Sequence, residues 1–278
     1  MRPIIAVSSK LKVFAALLLI TFPIQLLSQE IPSPYHFNWK KDLIYASGSG
    51  LLSAGGLLTR YQTRGLTPAQ VNSLDPYSIA GFDRPAIENW NHNADLASDI
   101  LLYGSMALPA FMMLNRRARK DFLVIGFIYA ETALLTLGIT ELSKGLSKRA
   151  RPYAYNPNVS MDERTDRDAR LSFFSGHTSM TTALCFTTAK IFSDYSDNPT
   201  HEALVWTAAA LTPIATGLLR YEAGKHFPSD VIAGYFIGGT IGYLVPWLHR
   251  RKPILKGMSW APYTNGGQEL GLYVNFTL

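Results

Sequence analysis

Apolar and polar positions along this chain fall into long blocks rather than a short alternation. Five apolar stretches stand out: DLIYASGSGLLSAGGLLT (42–59), LASDILLYGSMALPAFMMLN (96–115), DFLVIGFIYAETALLTLGIT (121–140), ALVWTAAALTPIATGLL (203–219) and VIAGYFIGGTIGYLVPWL (231–248). A helix needs about 20 mostly apolar residues to cross a bilayer, and most of these come close. A sixth stretch, HTSMTTALCFTTAKIF (177–192), reads as an amphipathic helix and is less apolar. Gly, Ala, Ser and Thr recur at close spacing in several of them, which suits close helix packing in lipid. A buried bundle in a soluble protein would show similar runs. The pattern predicts an all-α fold, a membrane helical bundle of about five or six core helices. The tail differs in kind. After Asn265-Gly266-Gly267, Leu270, Leu272, Val274, Phe276 and Leu278 alternate with smaller or polar residues, which predicts a short C-terminal β-hairpin.

The remaining segments set the boundaries. Arg2, Lys10 and Lys12 precede the apolar run VFAALLLITFPIQLL, and Ser28 offers a small residue for cleavage, so 1–28 reads as a signal peptide or an uncleaved anchor. Residues 29–95 then hold one helix and a polar loop, 96–250 the core, and 251–278 the tail. In the polar segment 153–173 acids and bases alternate, as in a solvated loop or a lid over a site.

Composition agrees with the membrane reading. Charged residues are 17% of the chain, against about 25% in typical soluble proteins. The net charge of +6 is clustered in RRARK (116–120), KGLSKRAR (144–151) and HRRK (249–252). Such clusters flank membrane helices or bind phosphate. No nucleic-acid motif accompanies them, so nucleic acid is not an expected partner. The lone Cys185 reads as a small core residue and has no internal disulfide partner. His36, His92, His201 and His249 are isolated in sequence and read as surface or capping residues. With no metal-ligand cluster, neither a metal nor a cofactor is expected.

Three short pieces carry the candidate chemistry. In RYEAGKHFPSD, Arg220, His226 and Asp230 fall in the gap between two apolar helices. Pro228 suits the first turn of the second helix. Asp230 then sits where it can reach back to His226, fix its tautomer and leave one ring nitrogen free; it would also serve as a plain helix cap. In FFSGHTS, Ser175, Gly176 and His177 open a helix, whose N-terminus attracts anions. In KGLSKRARP, Lys144 and Arg151 are seven apart, sharing a face at a helix end that Pro152 stops. Lys148 and Arg149, off that face, read as interfacial anchors.

In this order the pieces form K-x6-R-P, S-G-H and R-x5-H-x3-D. They resemble the phosphatidic acid phosphatase type 2 (PAP2) superfamily, which includes bacterial membrane lipid phosphatases, non-specific acid phosphatases and vanadium haloperoxidases. The resemblance covers roughly 95–248. It departs at Phe174, where the family usually has Pro, and at Leu219, where it often has Ser. It implies a phosphatase acting on a lipid phosphate (phosphatidic acid, polyprenyl diphosphate or lipid A type) through a phosphohistidine, without metal. His226 would be the nucleophile, Asp230 its orienting carboxylate, and His177 the acid and then the base. Lys144, Arg151, Arg220, Ser175 and Gly176 would hold the phosphoryl oxygens. A soluble exported acid phosphatase, a haloperoxidase and a non-enzymatic membrane scaffold are the alternatives. If the signal is removed and 42–59 does not fully cross, RRARK and HRRK are cytoplasmic and all three motifs fall on the periplasmic face of a bacterial inner membrane; if 42–59 does cross, that parity fails unless another segment does not.

Overall fold

The computed structural model describes residues 33–251, 258–264 and 270–276. The signal expected over 1–28 and the turn at 265–267 lie outside the described residues. Among the described residues six helices reach 15 residues or more: α1 (Trp39–Gln62), α2 (His92–Met106), α3 (Phe122–Ser147), α4 (Gly176–Tyr195), α5 (Pro199–Glu222) and α6 (Pro228–His249). Their starts are written in the sequence. Asn38, Asn91, Ser175 and Asn198 each accept a hydrogen bond from a first-turn N–H, and Pro199 and Pro228 occupy first turns, where a missing N–H does no harm. Met258–Thr264 and Leu270–Phe276 are antiparallel strands, in register from Met258 with Phe276 to Thr264 with Leu270.

The apolar stretch 96–115 is not one helix. α2 stops at Met106, and a separate short helix runs Leu108–Met112 with Pro109 in its first turn. Proline cannot donate to the ladder of the preceding turn, so the helix breaks there. Among the described residues three segments are long and apolar enough to cross a bilayer: Phe122–Tyr155, Pro199–Glu222 and Pro228–His249.

α4 packs against α2, α3, α5 and α6, and this explains its weaker apolar signature. Most of it is buried by protein. Two of its threonines bond within the helix, Thr182 to the Thr178 carbonyl (2.6 Å) and Thr188 to that of Leu184 (2.7 Å), and Thr187 reaches the Gly242 carbonyl on α6 (3.2 Å). Cys185 is buried here, as expected.

The α4–α6 crossing is set by small residues. Gly234, Gly238 and Gly242 recur every fourth position on α6 and face Ser175, Ser179 and Ala183 on α4. A Cβ on Gly238 would lie 2.2 Å from the Ser179 carbonyl oxygen, and one on Gly242 would lie 2.3 Å from that of Ala183. Backbones this close need small side chains on both helices. The crossing brings the N-termini of α4 and α6 together, with Ser175 N–H bonded to the Asp230 carbonyl (3.0 Å).

Both polar segments are folded. Leu66 and Val71 pack with Tyr153, Ala154, Val159 and Ala169, while Ile79, Ala86 and Ile87 pack with Phe227. The segment 153–173 is therefore held to the fold by its apolar residues, while Asp162, Glu163, Asp166 and Arg167 among its alternating charges stay exposed. His249 also departs from its sequence reading. It is buried at the end of α6, donates from Nδ1 to the Val245 carbonyl (2.9 Å), and places Nε2 3.2 Å from Glu131 and 3.4 Å from Asp42.

Candidate active site

The three sequence pieces meet at one end of the bundle. α3 ends at Ser147 because Lys148 turns left-handed (φ 46°) and its N–H caps the Lys144 carbonyl at 3.0 Å. Arg151 is thus not on the helix face of Lys144, as its spacing predicted. It precedes Pro152, which starts a new helix, Pro152–Tyr155, instead of stopping α3. α5 ends in a glycine turn. Gly224 has φ +70°, and a Cβ there would lie 2.1 Å from the Asn89 carbonyl oxygen. Glycine alone adopts that turn without strain. The turn folds the chain back, so that Lys225 and His226 N–H groups reach the Arg220 carbonyl (3.1 and 3.3 Å).

His226 is 1% exposed. Its Nε2 lies 3.4 Å from Arg151 Nη1. Arginine only donates, so Nε2 is the acceptor and the ring proton sits on Nδ1. Nδ1 faces Asp230 Oδ2 at 3.7 Å, beyond hydrogen-bond reach, and has no hydrogen-bond partner among the described residues. Burial pushes the imidazole well below its usual value, and the positive charges of Arg151, Arg220, Lys144 and His177 push the same way. The ring is therefore neutral, with its Nε2 lone pair turned toward Arg151.

Asp230 is fully buried and caps α6 through the Phe227 N–H (3.0 Å). It also accepts from Ser172 Oγ and from Arg149 Nη1, each at 2.5 Å. Arg149 also reaches Asp83 (2.7 Å) and Ser229 (2.8 Å), and its guanidinium stacks 4.2 Å from the Phe227 ring centroid. The expected interfacial anchor is thus the partner of two buried carboxylates. Lys148, by contrast, is exposed.

The cationic wall is internally balanced. Lys144 Nζ lies 3.7 Å from Glu141, Arg151 is paired with Asp168 (2.8 Å), and Arg220 with Asp95. Buried cations persist only with such partners. Burial raises the Asp168 carboxyl, but Arg151, Lys144 and Arg60 outweigh it and hold the group well below the usual range. Arg220 also reaches Ser98 (3.2 Å), yet its buried Nε has no hydrogen-bond partner among the described residues. Ser175 caps α4, its Oγ 2.9 Å from Thr178 Oγ1. Gly176 leaves room for Lys144, whose Nζ would stand 3.2 Å from an added Cβ.

His177 places Nε2 2.7 Å from Asp99 Oδ1 on α2. Burial lowers its pKa to about 4; Arg220 and Lys144 add to the shift and Asp99 opposes it. Nearby, a cavity of about 180 Å³ is lined by Trp90, Asn91, Asp95, Glu163 and Lys225 among others. Sequence reasoning missed Asp83, Asp95, Asp99, Arg149, Asp168 and Ser172. Only Asp95 and Asp99 left a signal, two acids four apart at the start of an apolar stretch. Among the described residues no group of three or more His, Cys, Asp or Glu is placed to hold a metal ion.

A family model described as the PAP2 superfamily matches residues 125–254. A decaprenylphosphoryl-5-phosphoribose phosphatase from Mycobacterium tuberculosis is 32% identical over 146 residues, 52% of this chain and 67% of that protein. An undecaprenyl-diphosphatase from Sulfolobus acidocaldarius is 26% identical over 156 residues, 55% of this chain and 68% of that protein. The crystal structure of a transmembrane PAP2-type phosphatidylglycerolphosphate phosphatase from Bacillus subtilis aligns with a TM-score of 0.45 at 19% identity, covering 72% of this chain and 94% of that one.

Proposed function

The chain belongs to the PAP2 superfamily of phosphatases, and on that footing we propose that it removes phosphate from a membrane lipid through a phosphohistidine on His226. The observation that carries this reading is the buried neutral imidazole, whose Nε2 lies 3.4 Å from Arg151 Nη1, with Lys144 and Arg220 close enough to act on the ring through their charges. Phosphoryl transfer asks mainly for in-line positioning and charge on three equatorial oxygens. Nε2 attacks phosphorus as the bond to the leaving oxygen breaks, and His177 gives that oxygen its proton. Water then attacks the phosphohistidine, losing a proton to His177 as the P–N bond breaks. The positive charge on His226 is met by Asp230, 3.7 Å from Nδ1. The phosphoryl oxygens lie among Lys144, Arg151 and Arg220, whose Nε is free to donate, with the Gly176 N–H and the Ser175 hydroxyl at the α4 N-terminus.

A lipid is favoured over a water-soluble ester by a groove between α5 and α6. It holds about 440 Å³ and is lined by Ile214, Leu218, Ile232 and Phe236, with Tyr221 and Pro228 beside Arg220 and His226. Its size and lining suit a hydrocarbon chain. The names of the two curated relatives point to a polyprenyl-linked phosphate or diphosphate. The basic run Arg116–Lys120 precedes α3, and His249 and Arg250 end α6, each at the far end of its helix from Lys144 or Asp230. The cations of 148–151 on the other end belong largely to the site. Positive-inside bias then supports a bacterial inner-membrane enzyme with its site on the periplasmic face.

The test is purified protein, quenched in alkali after mixing with a radiolabelled lipid phosphate. Wild type is expected to carry alkali-stable label, and His226→Ala none, with no turnover. Turnover at the wild-type rate by the folded variant would refute the assignment.

A further inference from the structure

The phosphatase reading uses His177 but leaves its closest partner unexplained. That partner, Asp99, lies on α2, outside residues 125–254 covered by the family model. Its Oδ1 stands 2.7 Å from His177 Nε2 and 3.9 Å from Arg220 Nη1. α2 is held in place on both sides. It packs against α4 and α5, Asn91 caps its first turn, and Asp95 and Ser98, one turn or less from Asp99, both bond Arg220. Asp99 is therefore presented to the ring by a fixed element.

A carboxylate accepts only, so His177 Nε2 is the donor. Such a partner fixes the tautomer and stabilises the imidazolium, leaving the other ring nitrogen for proton transfer. The charges facing His177 make that help necessary. Lys144 from α3 and Arg220 from α5 disfavour a positive charge there, and so does burial, while the neutral ring of His226 supplies no counter-charge. On α2 Asp95 is engaged by Arg220 and Lys225, which leaves Asp99 as the carboxylate in contact with the ring.

Resting on the proposed lipid phosphatase reaction, we propose that Asp99 is a positioning residue for the leaving-group proton. It holds Nε2–H of His177, turns Nδ1 toward the leaving oxygen, and stabilises the imidazolium until Nδ1 gives up its proton. The proton moves to the oxygen that takes the electron pair of the broken P–O bond; His177 becomes neutral and Asp99 stays ionised throughout.

The test compares two esters with full-length protein in detergent. Octyl phosphate leaves as an alkoxide that needs a proton, whereas p-nitrophenyl phosphate leaves as a stable phenolate. The readout is kcat/KM, which reports steps up to the first transfer. Asp99→Asn is expected to lower kcat/KM for octyl phosphate roughly 10- to 100-fold, part of the benefit of a positioned acid. The aryl ester is expected to lose less than about threefold, since its leaving group gains little from a general acid. The alkaline limb of the octyl phosphate profile moves to lower pH, because the imidazolium has lost its counter-charge. Asp99→Ala, read the same way, guards against a new bond made by the Asn amide. Equal losses on both esters, or none, overturn the proposal. A wild type that releases phosphate from neither ester, or from the aryl ester alone, overturns the underlying reading and this one with it. A folded Asp99 variant is confirmed by circular dichroism.

Discussion

Adding one methyl group to Gly238 should disable the enzyme from a distance. Gly238 lies two helical turns beyond Asp230, about 12 Å along α6, and touches none of the catalytic groups. Its Cβ would fall 2.2 Å from the Ser179 carbonyl oxygen, and ordinary contact begins near 3.4 Å. The obstacle is backbone, which cannot rotate aside, so α4 and α6 must separate by about 1 Å in a closely packed interior. One of these helices starts with Ser175 and His177, and the other carries Asp230 just behind His226. A misplacement of about 1 Å in a reacting pair costs on the order of 100-fold in rate. Gly238→Ala is therefore expected to lower kcat about 100-fold while the protein remains helical. Helix propensity works the other way, since Ala is better than Gly by up to about 1 kcal/mol, so a loss cannot come from a weakened helix. The control is Gly126→Ala on α3, where an added Cβ meets nothing within 4 Å; it should keep wild-type kcat. The assay is phosphate release in detergent, with circular dichroism and thermal unfolding of each variant. Wild-type kcat in Gly238→Ala would show that the crossing does not set the site.

Other predictions address the surroundings of the site. Arg149→Ala strands the buried carboxylates of Asp230 and Asp83; breaking such a pair costs about 3–5 kcal/mol, so thermal unfolding should drop markedly, and an unchanged melting temperature would contradict the pairing. His226 and His177 have native pKa values below the unfolded value of about 6.5, so their contribution to stability is complete above that pH and is lost as pH falls toward about 4 for His177. Asp168 is also depressed, and its contribution, present above the ordinary carboxylate value of 3.8, is lost on further acidification; Asp168→Asn should flatten only that lowest part of the melting profile. Ile232→Trp fills the groove between α5 and α6 and should raise KM for a long-chain lipid phosphate but not for p-nitrophenyl phosphate. If Lys144, Arg151 and Arg220 supply the charge on the phosphoryl oxygens, as proposed, activity should persist in EDTA and fall with vanadate; loss of activity on chelation would favour a metal mechanism.

The sequence by itself determined the helical character, the caps and the three short motifs that the fold brings together. These are local properties: an apolar run, an Asn or Ser before it, a Pro in the first turn, or a fixed spacing within a dozen residues decides each of them. Tertiary structure decided which charges face one another. Arg149 looked like an anchor because its partners, Asp83 and Asp230, lie 66 and 81 positions away. His249 looked isolated because Asp42 and Glu131 belong to other helices. α4 looked only half suited to a bundle, because the carbonyls that satisfy Thr182, Thr187 and Thr188 do not show in its apolar pattern. Arg151 left the face of Lys144 because one left-handed residue, Lys148, redirected the chain. Burial and Coulomb pairing depend on distance through space, and a one-dimensional spacing records that only where a single helix carries both partners.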